Sequence, residues 1–296
     1  MTKFVGIGTA LVTPFNPQNE VDVIALKKLV NHNINSGINY LVVLGTTAET
    51  ITLSDAEQQL VIDTVVAENN SRVPLVLGMG GSNTHALVQK INATDFSHFD
   101  AILSVTPYYN KPTQEGLKVH FSEVAKAAPI PVILYNVPSR TGVNMLPKTT
   151  LEIAHSHPNV IGIKEAKGDM EQIAQLLARK PEGFLVVSGD DATAYQTTLA
   201  GGSGVISVVG QAIPAQFSDL IYSALRGHSS EANRLNEQLQ VLIEAIFEEG
   251  NPAGVKALMN IIDSYPLQVR LPLLPASACL QDKLKNSLVA LGSLVS

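Results

Sequence analysis

The chain has 296 residues, 45% hydrophobic and 16% charged, with 20 Lys+Arg against 26 Asp+Glu and a net charge of −6. That balance supports a large core, and the absence of any basic block speaks against nucleic acid as a partner. The single cysteine, Cys279, excludes an internal disulfide and suits a reducing compartment. The opening stretch MTKFVGIGTALVTPF lacks the basic region and cleavage site of a signal peptide, and no apolar stretch reaches spanning length without Gly, Pro or a polar break. The expectation is a cytoplasmic protein with no membrane partner.

Eight short apolar runs, rich in Val and Ile, recur at roughly 20–35-residue intervals: 5–13, 40–45, 74–80, 101–107, 132–138, 160–166, 184–190 and 204–210. Continuous apolar character is what strands covered on both faces should show. The stretches between them read as helices. In 22–35, Val23, Leu26, Leu29, Val30, Asn33 and Ile34 fall at helical spacing. Ser54 and Glu57 form a capping-box signal opening 55–69, and Pro147 suits the first turn of 147–156. After the eighth run the pattern turns helical over 214–227, 229–249, 252–263 and 277–291, with Pro266, Pro272 and Pro275 marking a kinked connection.

Eight alternating strand–helix units predict an α/β fold, a (β/α)8 TIM barrel over 1–225, followed by a C-terminal helical region over 226–296. The rival, a doubly wound sheet, usually carries a Gly-rich phosphate loop after its first strand, and here Thr13-Pro14-Phe15-Asn16 follows instead. Gly201-Gly202-Ser203-Gly204 enters the eighth strand rather than following it, which argues against phosphate binding there. His155 and His157 fall at a predicted helix end, so a C-terminal cap is the better reading than a metal pair.

In such a barrel the C-terminal strand ends face the active site. Here they read Thr9 and Thr13, Gly45-Thr46-Thr47-Ala48-Glu49-Thr50, Pro107-Tyr108-Tyr109-Asn110, Tyr135 to Gly142, Lys164-Glu165-Ala166, Ser188-Gly189-Asp190-Asp191 and Ile206-Ser207. Lys164 stands out. An ammonium in a buried strand loses its water, which penalises the charged form, and a neutral amine condenses with a carbonyl to a Schiff base. A strand-end lysine that snorkels to solvent is the bland alternative. Alternation places Gly162, Lys164 and Ala166 on one face and Ile161 and Ile163 on the other, leaving room around the amine. Tyr135, one strand earlier, is either a proton donor beside that amine or an ordinary core tyrosine. Thr46 and Thr47 offer N–H groups and hydroxyls to a carboxylate, or form a simple turn. Arg140 offers a bidentate fork, or a surface ion pair. Asp190 and Asp191 bind a cation or ammonium, or cap the next helix.

The segments GTTAET (45–50), VTPYYNKPTQEGL (105–117), LYNVPSRTG (134–142), GIKEA (162–166), SGDD (188–191) and GGSGVIS (201–207) resemble the 4-hydroxy-tetrahydrodipicolinate synthase (dihydrodipicolinate synthase) family of pyruvate-dependent class I aldolases, over nearly the whole chain. The resemblance implies a lyase that condenses pyruvate with L-aspartate 4-semialdehyde, on the route to diaminopimelate and lysine, with no metal or organic cofactor. It implies that Lys164 forms the Schiff base and Tyr135 is the acid/base residue. Thr46 and Tyr109 would complete a proton relay, Tyr109 reaching the neighbouring subunit's site across a tight dimer. Thr46 and Thr47 would hold the pyruvate carboxylate and Arg140 that of the semialdehyde. Gly189 and Ile206 would shape the pocket through their backbone, with Asp190 near the second substrate. A homotetramer built as a dimer of tight dimers is the implied assembly.

Two departures stand out. Ala48 replaces the usual glycine of GTTGE, a strain if that position needs φ > 0, and Thr50 replaces the more usual serine. The positions matching the family's lysine feedback site are Asp55, Gln58, Ser82 and Ala86, and Ala86 lacks the carboxylate an effector ammonium would need. Weak or absent inhibition by lysine is expected. The rivals are another aldolase of the superfamily, such as N-acetylneuraminate lyase or a 2-keto-3-deoxy sugar acid aldolase, and, more distantly, a non-catalytic barrel that binds a keto acid.

Overall fold

The computed structural model describes residues 2–292. Its elements run β1 (Gly6–Ala10), α1 (Val23–Asn35), β2 (Tyr40–Val43), α2 (Asp55–Asn69), β3 (Leu75–Gly80), α3 (Thr84–Ala93), β4 (Ala101–Val105), α4 (Gln114–Ala127), β5 (Val132–Asn136) and a single turn α5 (Pro138–Thr141). They continue with α6 (Pro147–Ser156), β6 (Val160–Glu165), α7 (Met170–Arg179), β7 (Leu185–Ser188), α8 (Ala194–Leu199), β8 (Gly204–Ser207), α9 (Pro214–Leu225), α10 (Ser229–Glu248), α11 (Ala253–Asp263) and α12 (Ala278–Ala290). The strands pair in parallel in chain order, and β8 returns to β1, closing the barrel. This is the (β/α)8 architecture expected from the eight apolar runs.

The barrel has two cores. Val42, Val76, Leu103, Ile133, Val187 and Ile206 pack inside it, while Leu41, Leu75, Ile102, Leu134, Ile163 and Val186 pack outward against the helices. This is the period-2 division that alternation demands. Phe4 meets the ring of Tyr40 edge-on at 5.4 Å across the N-terminal end of the barrel. Tyr40 is fully buried, and a Cβ at Gly8 would come within 2.1 Å of its ring, so only glycine fits there.

Helix starts follow local chemistry. Ser54 and Glu57 form the reciprocal capping box of α2, and Pro147 occupies the first turn of α6. His157 is the C-cap residue of α6, and its Nε2 lies 2.9 Å from Ser122 Oγ. After α9 the remaining helices pack on one side, joined by an irregular stretch over 264–277.

Two expectations are corrected. The strands are shorter than the apolar runs: β1 ends at Ala10, although Leu11, Val12 and Thr13 are just as buried. There the burial belongs to a loop whose backbone is satisfied by a side chain, since Val12 N–H donates to Gln211 Oε1 at 2.8 Å. Ile161 does not share a face with Ile163. The β5–β6 register jumps from Val132↔Val160 to Ile133↔Gly162, so Ile161 bulges and packs with the inner cluster. Beyond the bulge the alternation resumes, and Lys164 pairs with Tyr135.

His120 on α4 gives the fold a pH dependence. It is buried, its Nδ1 lies 2.8 Å from Thr84 Oγ1 on α3, and its Nε2 has no partner among the described residues. Burial pulls its pKa down to about 4. Between pH ~6.5 and ~4 the unfolded chain therefore holds a proton that the native state does not, and stability falls as pH falls through that window. From pH 7 to pH 5 this one group should remove about 2 kcal/mol. His120→Gln should show a smaller shift of its urea midpoint between those pH values than the parent. Equal shifts would exclude His120 as the cause.

Candidate active site

Lys164 is the penultimate residue of β6, and it points into the C-terminal end of the barrel with only 4% exposure. Its Nζ lies 4.5 Å from the ring centroid of Tyr135, its register partner on β5. Among the described residues it forms neither an ion pair nor a hydrogen bond. The space for its stem comes from Gly189, where a Cβ would meet Lys164 Cε at 2.8 Å and Ala166 Cβ at 2.7 Å. Gly162 serves the neighbouring strand instead, since a Cβ there would meet Leu185 Cβ at 2.7 Å. Gly189 thus acts on the lysine directly: it lets the aliphatic stem lie against backbone.

Beside Tyr135 opens a cavity of about 400 Å³ whose walls include Thr46, Tyr108, Tyr135, Arg140, Thr141 and Asn251; Lys164, which lies against Tyr135, and Thr47 and Gly189 are not among its wall residues. A larger hollow of about 730 Å³ lies among α9, α10 and α12, lined by Leu235, Leu239, Leu242 and Cys279, but no catalytic group projects into it. The smaller cavity is therefore the candidate site, at the strand ends where barrel chemistry is placed.

The β2 end forms one wall. A 3₁₀ turn at Thr46–Ala48 follows Gly45. The left-handed residues here are Leu44 and Glu49 (φ 55° each), not Ala48, so alanine in place of glycine brings no positive-φ strain. Ala48 is buried and its carbonyl accepts a 2.8 Å bond from Thr13 Oγ1. Thr46 is exposed at the cavity wall, whereas the buried Thr47 accepts a 2.9 Å bond at Oγ1 from Asn251 Nδ2. Arg140, on α5, stands exposed at the rim and donates to Asn251 O at 3.3 Å.

Several named positions stand apart from the cavity wall. Ile206 is fully buried in the inner core. Asp190 turns its carboxylate to Thr193, accepting from the hydroxyl at 2.7 Å and from the N–H at 3.2 Å. Tyr109 is 88% exposed with a positive φ of 71°, and it is the preceding Tyr108 that lines the cavity.

Two residues, Asn251 and Lys256, carry no site reading in the sequence, and Asp191, read there as a cation site or a helix cap, turns out to be a structural brace. Asn251, in the C-terminal region, bonds both to Thr47 and, through its carbonyl, to Arg140. Lys256 on α11 is 1% exposed; its Nζ donates to Glu49 Oε1 at 2.6 Å and to Gln268 O at 2.7 Å, and the backbone N–H of Arg270 donates to Glu49 Oε2 at 2.8 Å. Burial pulls the Lys256 ammonium down to about 8, against the opposing pull of Glu49. This pair ties the threonine turn to the C-terminal helices. Asp191 is buried and accepts from the N–H groups of Val208 (3.0 Å) and Val209 (2.8 Å), bracing the end of β8, and burial pushes its carboxyl up to about 6. The apolar run around Lys256 in α11 was the one sequence signal that its charge is interior. Among the described residues no group of three His, Cys, Asp or Glu side chains is placed to hold a metal ion, and no helix is long and apolar enough to cross a membrane.

A buried primary amine, a phenol against it, threonine donors and a rim guanidinium suit condensation with a carbonyl compound that bears carboxylates. Known proteins share the frame. The chain is 52% identical over 284 residues to the 4-hydroxy-tetrahydrodipicolinate synthase of Flavobacterium psychrophilum, covering 96% of this chain and 97% of that one. Among solved structures, the chloride-inhibited dihydrodipicolinate synthase of Acinetobacter baumannii complexed with pyruvate superposes with a TM-score of 0.94 at 38% identity, covering 98% of this chain and all of that one. The Cyanidioschyzon merolae enzyme with lysine bound superposes at a TM-score of 0.93 and 33% identity, covering 99% of each chain. The model of the dihydrodipicolinate synthetase family matches residues 3–291. The chain belongs to the dihydrodipicolinate synthetase family.

Proposed function

We propose that the protein condenses pyruvate with L-aspartate 4-semialdehyde to give 4-hydroxy-tetrahydrodipicolinate. The observation that carries this is the buried Lys164 amine, which has no carboxylate partner among the described residues and lies against Tyr135 in a barrel of this family. Lys164 Nζ adds to the ketone carbon of pyruvate, and the carbinolamine loses water to leave a protonated imine. The imine draws electrons from the methyl group, which gives up a proton to form an enamine. The enamine carbon attacks the aldehyde carbon of the second substrate. The amine of that substrate then closes on the imine carbon and releases Lys164.

Each proton transfer needs a donor or acceptor beside the amine, and Tyr135 is the group in place. Thr46 extends the relay, and Thr46 and Thr47 receive the pyruvate carboxylate. Arg140 at the rim receives the carboxylate of the semialdehyde. Gly189 shapes the site through the stem of Lys164, and Asp190 and the backbone at Ile206 support it from behind the cavity wall. Tyr109, exposed on the lip and outside its own cavity, suits delivery to a second copy, in a tight dimer that pairs again to a tetramer. The barrel over 1–225 and the helical region over 226–296 act as one unit, because Asn251 and Lys256 come from the latter. The protein works in the cytoplasm.

A coupled assay should give turnover with pyruvate and L-aspartate 4-semialdehyde and none with N-acetylneuraminate; the reverse would reassign the substrate. Tyr135→Phe should keep the fold and lower turnover by about 10²–10⁴. Unchanged turnover would remove Tyr135 from its role.

Lysine should not regulate this enzyme. Gln58 is already occupied, donating to Leu53 O (3.2 Å) and accepting from Lys90 Nζ (3.0 Å), and Ser82 Oγ donates to Tyr108 O (2.8 Å). Lys90 adds a cation that repels an effector's ammonium, and Ala86 offers no carboxylate. Turnover at millimolar L-lysine should match turnover without it. Sub-millimolar half-inhibition would contradict this.

A further inference from the structure

Directly behind Lys164 and Tyr135, on the outer face of the barrel, lies a buried polar cluster that the proposed chemistry does not use. Its centre is Glu165, the residue after Lys164, at 2% exposure. Alternation turns it away from the cavity. Its carboxylate accepts from Asn136 Nδ2 at both oxygens (3.0 and 2.9 Å), from Gln172 Nε2 (2.8 Å) and from the backbone N–H of Lys167 (2.9 Å). No cation neutralises it at contact distance among the described residues, and the nearby ammonium of Lys167 is engaged by Asp169 at 2.6 Å. Burial raises its pKa, and the surrounding N–H donors oppose that rise.

The cluster has one internal direction. Met145 N–H donates to Asn136 Oδ1 (2.9 Å), so Asn136 must present its Nδ2 to Glu165 and to Asn144 Oδ1 (2.8 Å). Asn144 Nδ2 donates to Gln172 Oε1 (2.9 Å), which leaves Gln172 Nε2 for Glu165. Backbone N–H groups at 145 and 167 fix the ends, and the bonds converge on an acceptor-only group. An amide at 165 would place a donor against donors, and Asn136 cannot turn without orphaning Met145 N–H.

Burying a carboxylate without a counter-ion is costly, and apolar residues of equal volume would be cheaper. What the cluster supplies is a second connection between β5 and β6. Tyr135↔Lys164 and Asn136↔Glu165 are consecutive register pairs, so the clamp closes one step beyond the reacting pair. It also holds the 142–145 loop and α7 to the same point.

We propose that Glu165 is a positioning residue: through Asn136 it fixes the ends of β5 and β6 so that the phenol of Tyr135 stays against the Lys164 amine. This rests on the reading of Lys164 as the Schiff-base residue. The test is the rate at which pyruvate becomes fixed to Lys164 by borohydride, measured per folded molecule beside the KM for the aldehyde. Glu165→Gln, folded by near-UV circular dichroism, should trap pyruvate about 10–100-fold more slowly than the parent, the scale of loss that a small misplacement brings. Its aldehyde KM should remain within about twofold, since Arg140 is untouched. Trapping at the parent rate, or slowed only in proportion to an unfolded fraction, would overturn the proposal. Should Glu165→Gln fail to fold, Gln172→Leu removes a single donor and should still slow trapping about threefold or more; the parent rate there would overturn it equally. Failure of the parent itself to trap pyruvate would instead remove the underlying reading of Lys164.

Discussion

The upper barrel is governed by how it treats two buried lysines. Lys256 is sealed at 1% exposure and satisfied at once, by Glu49 and by a backbone carbonyl. Lys164 is nearly as buried, at 4%, and is offered no acceptor among the described residues, only the face of Tyr135 and the bare backbone of Gly189. A buried amine that is not neutralised by a carboxylate has no structural role that an apolar residue would not fill more cheaply. Its place at the C-terminal end of a barrel strand, against the Tyr135 that lines the cavity, is where this fold puts reacting groups.

The rest of the upper barrel follows from keeping that amine in place and reachable. Gly189, just past the next strand, makes room for its stem, while Gly162 on its own strand lets Leu185 pack close. The ion pair Glu49–Lys256 anchors the turn that carries Thr46 and Thr47, and Asn251 bonds Thr47 while its carbonyl meets Arg140. Helices that look like an appendage thus form part of the wall of the site. Removing Lys256 alone would strand the Glu49 carboxylate in the core, where an unpaired charge is strongly destabilising.

The fold was legible because its signal is repeated eight times. Val- and Ile-rich runs with helical stretches between them leave little choice of architecture, and strong local chemistry such as Ser54/Glu57 marks helix starts to the residue. Lys164 was legible because a charge interrupts such a run. Ile161 was misassigned because a bulge is a relation between two strands, and the apolar run of one strand does not record it. Asn251 and Lys256 escaped notice because they meet the site through contacts more than a hundred residues distant in the chain, as the bonds from Arg140 to Asn251 and from Lys256 to Glu49 illustrate. Ala48 looked like a strained departure, yet the left-handed φ sits at Glu49, one residue on. Composition and spacing report which residues are interior; they do not report which interior polar groups find partners.

The most direct measurement is a peptide map after borohydride reduction in the presence of pyruvate. A single modified lysine is expected, Lys164, with Lys256 and the neighbouring Lys167 unmodified because each is held by a carboxylate. Protein that remains unmodified, or a label on Lys256 in place of Lys164, would contradict it.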